Sequence, residues 1–276
     1  MPEISPTNET IIFAKSLLLL AALTTSAIAR PEGHERRQVA TATTTTTTSA
    51  ASSSSTSSGG AWTNTPSSGS YSTSGFGGVT SSSGSGNTYT GNVGNPYGSN
   101  IIEVSASDAS QYKYVMQFQG SNTEDWTVAI WNKYGPDGKM DGWYGNAVKT
   151  FSLAAGATKY IAFDEDTNGG FAAAAGSIPT DSNGGYASTW GEFDFGSTVN
   201  SGWSGFDVSA IAAQNAGLTV QGMKICDALG STCSSITSGA GTVSNAYTKA
   251  ETDIGGIGGN LASGPVRLAV TIDYSS

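Results

Sequence analysis

The sequence predicts an all-β chain, an antiparallel β-sandwich of roughly nine to ten strands. Three observations predict it. Tyr112, Tyr114, Met116 and Phe118 fall on one face of a strand. Val266, Leu268, Val270, Ile272 and Tyr274 do the same, with Arg267, Thr271 and Asp273 opposite; such period-two alternation marks a half-buried strand. Turn-forming clusters at 135–142, 166–170 and 181–185 break up the apolar runs, and no long helical pattern occurs.

Taken in order, strands are expected at 101–105, 112–119, 127–131, 150–153, 160–163, 189–195, 206–211, 218–225 and 266–274. Each is a short run of β-branched and aromatic residues bounded by Gly, Asn, Asp or Ser. The Ala-rich pieces 171–176 and 209–216 are the helix candidates.

The regions before the sandwich read differently. Residues 1–29 have the form of a secretory signal: Lys15, the apolar run Ser16–Leu23, then small residues around Ala27 and Ala29. That run is too short to span a membrane, which takes about 20 residues. Arg36-Arg37 is a candidate processing site for the secretory pathway. Residues 30–60 are expected to be a propeptide and a disordered Ser/Thr stalk, because 39–60 contain no aromatic and nothing large and apolar after Val39. Residues 61–276 are assigned to the sandwich, with its ordered core from about residue 92 and the aromatics Trp62, Tyr71 and Phe76 packing ahead of it. The chain is thus expected to be extracellular or cell-wall associated.

From Ala61 onward there are eight Lys or Arg against seventeen Asp or Glu. That balance argues against nucleic acid or an anionic membrane surface as a partner. His34 is the only histidine and precedes the sandwich. A Ser-His-Asp or Cys-His triad and a histidine zinc site are therefore excluded there. No cofactor is expected. Asp164-Glu-Asp-Thr-Asn-Gly169 opens like a calcium loop, but its twelfth position is Ala175, so it reads as an acidic turn and no metal is expected. Cys226 and Cys233 are read as a disulfide closing a small loop.

Any hydrolytic chemistry would fall to carboxylates. Glu192, Asp194 and Asp207 are the candidates, the first two on one strand face with Phe193 and Phe195 turned to the core. Against them stands the plainer reading of a solvated acidic face. Trp143 and Trp203 lie in Gly-rich turns and, with Glu192 and Asp207, are candidate ligand contacts, since an exposed indole covers the apolar face of a sugar.

The runs G-N-V-G-N-P-Y-G-S-N-I-I-E-V, W-N-K-Y-G-P-D-G-K-M-D-G-W-Y-G-N, G-G-Y-A-S-T-W-G-E-F-D-F, G-W-S-G-F-D-V-S-A-I and V-Q-G-M-K-I-C resemble the Asp f 4-like family of secreted fungal allergens, over about Trp62 to Tyr274. The resemblance implies a secreted fungal protein recognised by IgE in sensitised hosts, with no established enzymatic activity and no catalytic residue to carry over. It also implies that members hold cysteine where this chain has Ser72 and Ser188, so that the Trp62–Phe76 arm is expected to be less securely tied here. A shorter resemblance, in W-G-E-F-D-F and F-D-V-S, is to thaumatin-like β-sandwiches, whose acidic cleft would correspond to Glu192 and Asp207. Three functions are consistent with the sequence: a non-catalytic cell-wall or glucan-binding protein, a carboxylate-dependent glycoside hydrolase or transglycosylase, and a structural surface antigen without a ligand.

Overall fold

The computed structural model describes residues 61–276. The expected signal, the stalk, His34 and the Arg36-Arg37 processing site lie outside the described residues.

Among the described residues thirteen strands form two sheets. In chain order they are β1 (Ile101–Val104), β2 (Tyr114–Gly120), β3 (Trp126–Asn132), β4 (Lys149–Leu153), β5 (Lys159–Phe163), β6 (Thr167–Ala175), β7 (Trp190–Ser197), β8 (Trp203–Ser209), β9 (Met223–Asp227), β10 (Cys233–Ile236), β11 (Val243–Ser244), β12 (Gly259–Leu261) and β13 (Val266–Ile272). The seven-stranded sheet runs β1-β5-β2-β13-β9-β10-β11, and the six-stranded sheet β12-β8-β7-β6-β3-β4. Among the described residues one α-helix, α1 (Ile211–Ala216), follows β8 and ends at Gly217 in the left-handed conformation.

All-β sandwich architecture matches the expectation, with two differences. Thirteen strands replace nine to ten, because β10, β11 and β12 are too short to show a pattern in sequence. The sheets are not wholly antiparallel either: β13 runs parallel to β2, with Tyr114 opposite Val266 and Phe118 opposite Val270.

The larger correction is β6. Its first residues read as a turn and its alanines as a helix, yet it is a nine-residue strand between β3 and β7. Bulky neighbours explain it. A side chain at Gly170 would meet the Trp131 ring at 3.0 Å, and one at Gly169 would meet the Trp131 carbonyl at 2.0 Å. The small residues are the complement of the aromatics packed across them, and that complementarity outweighs local propensity.

The core lies between the sheets. Tyr114, Met116 and Phe118 of β2 and Leu268, Val270 and Ile272 of β13 meet Phe171, Phe193, Phe195, Phe206 and Val208 from the other sheet. Tyr114 stacks on Phe195 with centroids 5.3 Å apart, and Phe118 meets Phe171 edge-on at 5.0 Å. Cys226 and Cys233 are register partners in the β9–β10 hairpin and are joined by a disulfide.

The outer face of the seven-stranded sheet is covered by the arm 61–76. Trp62 packs near Tyr160, Phe76 meets Tyr112 edge-on, and the Tyr112 hydroxyl donates to the Ser74 carbonyl. Beneath the arm lies Arg267, fully buried. Its guanidinium donates to the carbonyls of Trp62 (3.0 Å), Asn64 (3.1 Å), Ser110 (3.4 Å), Tyr112 (2.8 Å), Lys113 (2.8 Å) and its own neighbour Val266 (3.0 Å). The arm is thus tied down by a buried cation. Ser188 is buried with its hydroxyl on the Ala173 carbonyl, and the Ser72 amide donates to Gln111.

Candidate functional site

Strand alternation builds the site on the outer face of the six-stranded sheet. In β7 Phe193 and Phe195 point into the core, so Trp190, Glu192 and Asp194 point out. In β8 Phe206 and Val208 point in, so Asp207 points out. The register sets Glu192 directly opposite Asp207 and Asp194 opposite Asn168 of β6. Residues opposed in an antiparallel pair have Cα atoms about 4.5–5.5 Å apart, so Glu192 and Asp207 are neighbours.

These acids are not solvated. Glu192 is 1% exposed, Asp194 5% and Asp207 6%. The plainer sequence reading, an exposed acidic strand face, is therefore overturned. Loops cover the outer face. Trp131, Trp143 and Trp190 form a second apolar cluster there, with Met140, Tyr144, Ile178 and Tyr186 around it. Trp131 stacks on Tyr186 at 5.2 Å and meets Trp190 edge-on at 5.2 Å. On the other flank Tyr247, buried beside Ile211 and Ile257, accepts the Ile257 amide hydrogen on its hydroxyl.

Burial dominates the electrostatics. It raises the Asp194 carboxyl to about 7, against a hydrogen bond from Ser197 and the positive charge of Lys133, which both lower it. Burial also raises Asp207 well above the ordinary carboxylate range, and the adjacent charge of Glu192 adds to the effect. Lys133, fully buried, is pulled down to about 8 by burial, with Asp194 and Glu192 acting the other way. Tyr247 is pushed up to about 12, first by burial and then by the charge of Asp207. Asp207 Oδ1, Asp194 Oδ1 and Asn168 Oδ1 are buried and accept no hydrogen bond.

The structure therefore brings Glu192, Asp194 and Asp207 together and separates both candidate tryptophans from them in kind. Trp143 is fully buried, 5.8 Å from Trp190 between ring centroids, and presents no face to a ligand. Trp203, 37% exposed, opens β8 beside the exposed Val199 turn. Sequence reasoning did not find Lys133 or Tyr247. Lys133 is two residues beyond Trp131 and so on its strand face, a readable signal had the strand been extended. Tyr247 reaches the cluster from a loop, through backbone hydrogen bonds to Val208 and Ala210, and nothing local announces it.

The calcium-like turn has other work. Asp166 accepts hydrogen bonds from the Tyr89 hydroxyl (2.6 Å) and the Thr198 amide (3.0 Å), while Asp164 accepts from Asn92 (3.2 Å). Asp166 thereby links the 89–92 loop to the β7–β8 turn. Among the described residues no group of three or more acidic, His or Cys side chains is placed to hold a metal ion. Nor is any helix among them long and apolar enough to cross a membrane.

Comparison with known proteins follows the same lines. Residues 99–272 match the Allergen Asp f 4-like domain. The chain is 54% identical over 214 residues to Allergen Asp f 4 of Aspergillus fumigatus, a match covering 77% of this chain and 66%, just under two thirds, of that protein. Among solved structures, the protein elicitor MoHrip2 from Magnaporthe oryzae aligns with a TM-score of 0.37 and 10% identity, over 58% of this chain and 99% of that one. The domain match, together with the long relative of high identity, places the chain: it belongs to the Asp f 4-like allergen family.

Proposed function

We propose that this protein is a secreted, non-catalytic component of the fungal cell surface that binds wall polysaccharide of the β-glucan class. The observation that supports it is Trp203, 37% exposed and the most exposed of the six tryptophans. Val199, on the turn before it, is 50% exposed. A flat indole presented this way covers the apolar face of a pyranose ring. The carboxylates that a hydrolase would need are enclosed instead, which favours binding over cleavage. Family membership supports a further partner, IgE of sensitised hosts.

Co-sedimentation with insoluble β-1,3-glucan and, separately, chitin tests the reading. Retention on glucan is expected, with loss in Trp203→Ala and none in Trp143→Phe. Absence of retention on both polymers would remove the proposal and leave a surface antigen without this ligand. One observation favours a hydrolase as the second reading: Glu192 and Asp207 oppose each other across β7 and β8. Release of reducing ends from soluble β-1,3-glucan, abolished by Glu192→Gln, would establish that reading.

A further inference from the structure

Where the arm meets the end of the sandwich there is a cavity of about 240 Å³, apart from both the buried acids and Trp203. Its floor is Tyr114 of β2 and Phe163 of β5, both buried. Phe195 backs the two rings, 5.3 Å from Tyr114 and 4.9 Å from Phe163 between centroids. Gly196 closes on the same floor: an added Cβ there would stand 2.3 Å from the Tyr114 hydroxyl oxygen and 3.2 Å from Glu165 Cγ. Tyr71 and Phe76, both half-buried, form the wall on the arm side. Arg267 docks the arm through the Trp62 and Asn64 carbonyls, so that wall stands before any ligand arrives.

The polar groups around it are balanced. Lys113 Nζ donates to Glu165 Oε1 at 2.6 Å, and the Tyr114 hydroxyl donates to the same oxygen at 3.3 Å. Glu165 Oε2 is therefore available to a ligand hydroxyl, and the ammonium has two further hydrogens to give. Ser72 Oγ accepts the Ser74 amide at 3.1 Å, which leaves its own O–H as a donor. Asp164 is committed, with Oδ1 on the Glu165 amide at 2.9 Å and Oδ2 on Asn92 at 3.2 Å. A cationic ligand would meet Lys113, whose ammonium already stands 5.1 Å from the Tyr114 centroid. An anionic one would meet Asp164 and Glu165. A neutral ring with hydroxyls at its edge and one apolar face suits both the aromatic surface and the mixed donors and acceptors. The volume falls below the ~300 Å³ at which sites for drug-sized ligands begin, so it admits a single ring. We propose that this cavity is a saccharide subsite that takes the terminal residue of a neutral oligosaccharide, resting on the polysaccharide reading above for the β-glucan class. Trp203 pairs with Ser197, the residue after Gly196, so the cavity and Trp203 lie at the same end of β7.

An NMR titration of the full chain with the soluble β-1,3-linked glucose trisaccharide tests this, run beside co-sedimentation with the insoluble polymer. Saturable binding of the trisaccharide is expected. Tyr71→Ala should weaken it about tenfold by removing an aromatic wall. Thr73→Trp, at an exposed rim position, should abolish it by filling the cavity while leaving Tyr71 and the arm in place. Trp203→Ala should leave it unchanged, and Thr73→Trp should leave retention on the polymer unchanged. Retention on the polymer without trisaccharide binding overturns the cavity subsite alone. So does trisaccharide binding of equal strength in the parent and in both cavity variants. Absence of both retention and trisaccharide binding overturns the subsite together with the glucan reading, whereas trisaccharide binding lost in Thr73→Trp, with polymer retention that ignores Trp203→Ala, supports the subsite and removes the role given to Trp203.

Discussion

Replacing Arg267 by methionine is expected to release the arm 61–76 and to cost about 3–5 kcal/mol of stability, the usual range for breaking a buried, hydrogen-bonded charge network. The magnitude follows from opposing contributions. A hydrogen bond from a charged donor contributes about 1.5–3 kcal/mol. Arg267 makes six to carbonyls, two of them on the arm, at Trp62 and Asn64. They share one guanidinium and do not add, and desolvating the cation costs several kcal/mol in the other direction. Burial lowers the group to about 10, which leaves it charged at neutral pH. Methionine keeps apolar bulk but leaves buried carbonyls without donors. Lysine keeps the charge but has no planar fork, so Arg267→Lys is expected to fall between the two. Urea denaturation gives the stability change, and brief chymotrypsin digestion, cutting after Tyr71 or Phe76, reports undocking. An Arg267→Met protein within about 1 kcal/mol of the parent and equally resistant in the arm would refute the reasoning.

Two further outcomes are expected. The Asp194 carboxyl is raised to about 7 in the folded chain, from an ordinary value of 3.8, so its contribution is fully present below 3.8 and lost as pH rises through about 7. The urea midpoint should therefore fall across that window by the equivalent of about 4 kcal/mol, and Asp194→Asn should flatten the fall; an unchanged slope in the variant would show that another group controls it. Lys133 acts oppositely and only above about 8, so the two windows separate. Replacing both Cys226 and Cys233 by serine should cost about 2.5 kcal/mol by loop-closure entropy, measured as a lower denaturation midpoint, while glucan retention is unaffected.

The sequence by itself determined the sandwich, the direction in which β2, β7 and β13 face, and the disulfide. Those depend on period-two alternation and on short-range spacing, which are local properties. Only the tertiary structure decided the fate of the polar residues. Arg267, read as the outward side of a half-exposed strand, is buried because an arm some 200 positions away in sequence lies over it. Glu192 and Asp194 share the expected face and the register adds Asp207 to it, but whether that face meets water depends on the loops carrying Trp143, Tyr186 and Tyr247. The alanines of β6 read as helix because small residues tolerate one, and become a strand because Trp131 and Phe193 lie on neighbouring strands. Alternation specifies which way a side chain points; what it points at is set by residues distant in the chain, and burial energy reaches only as far as contact.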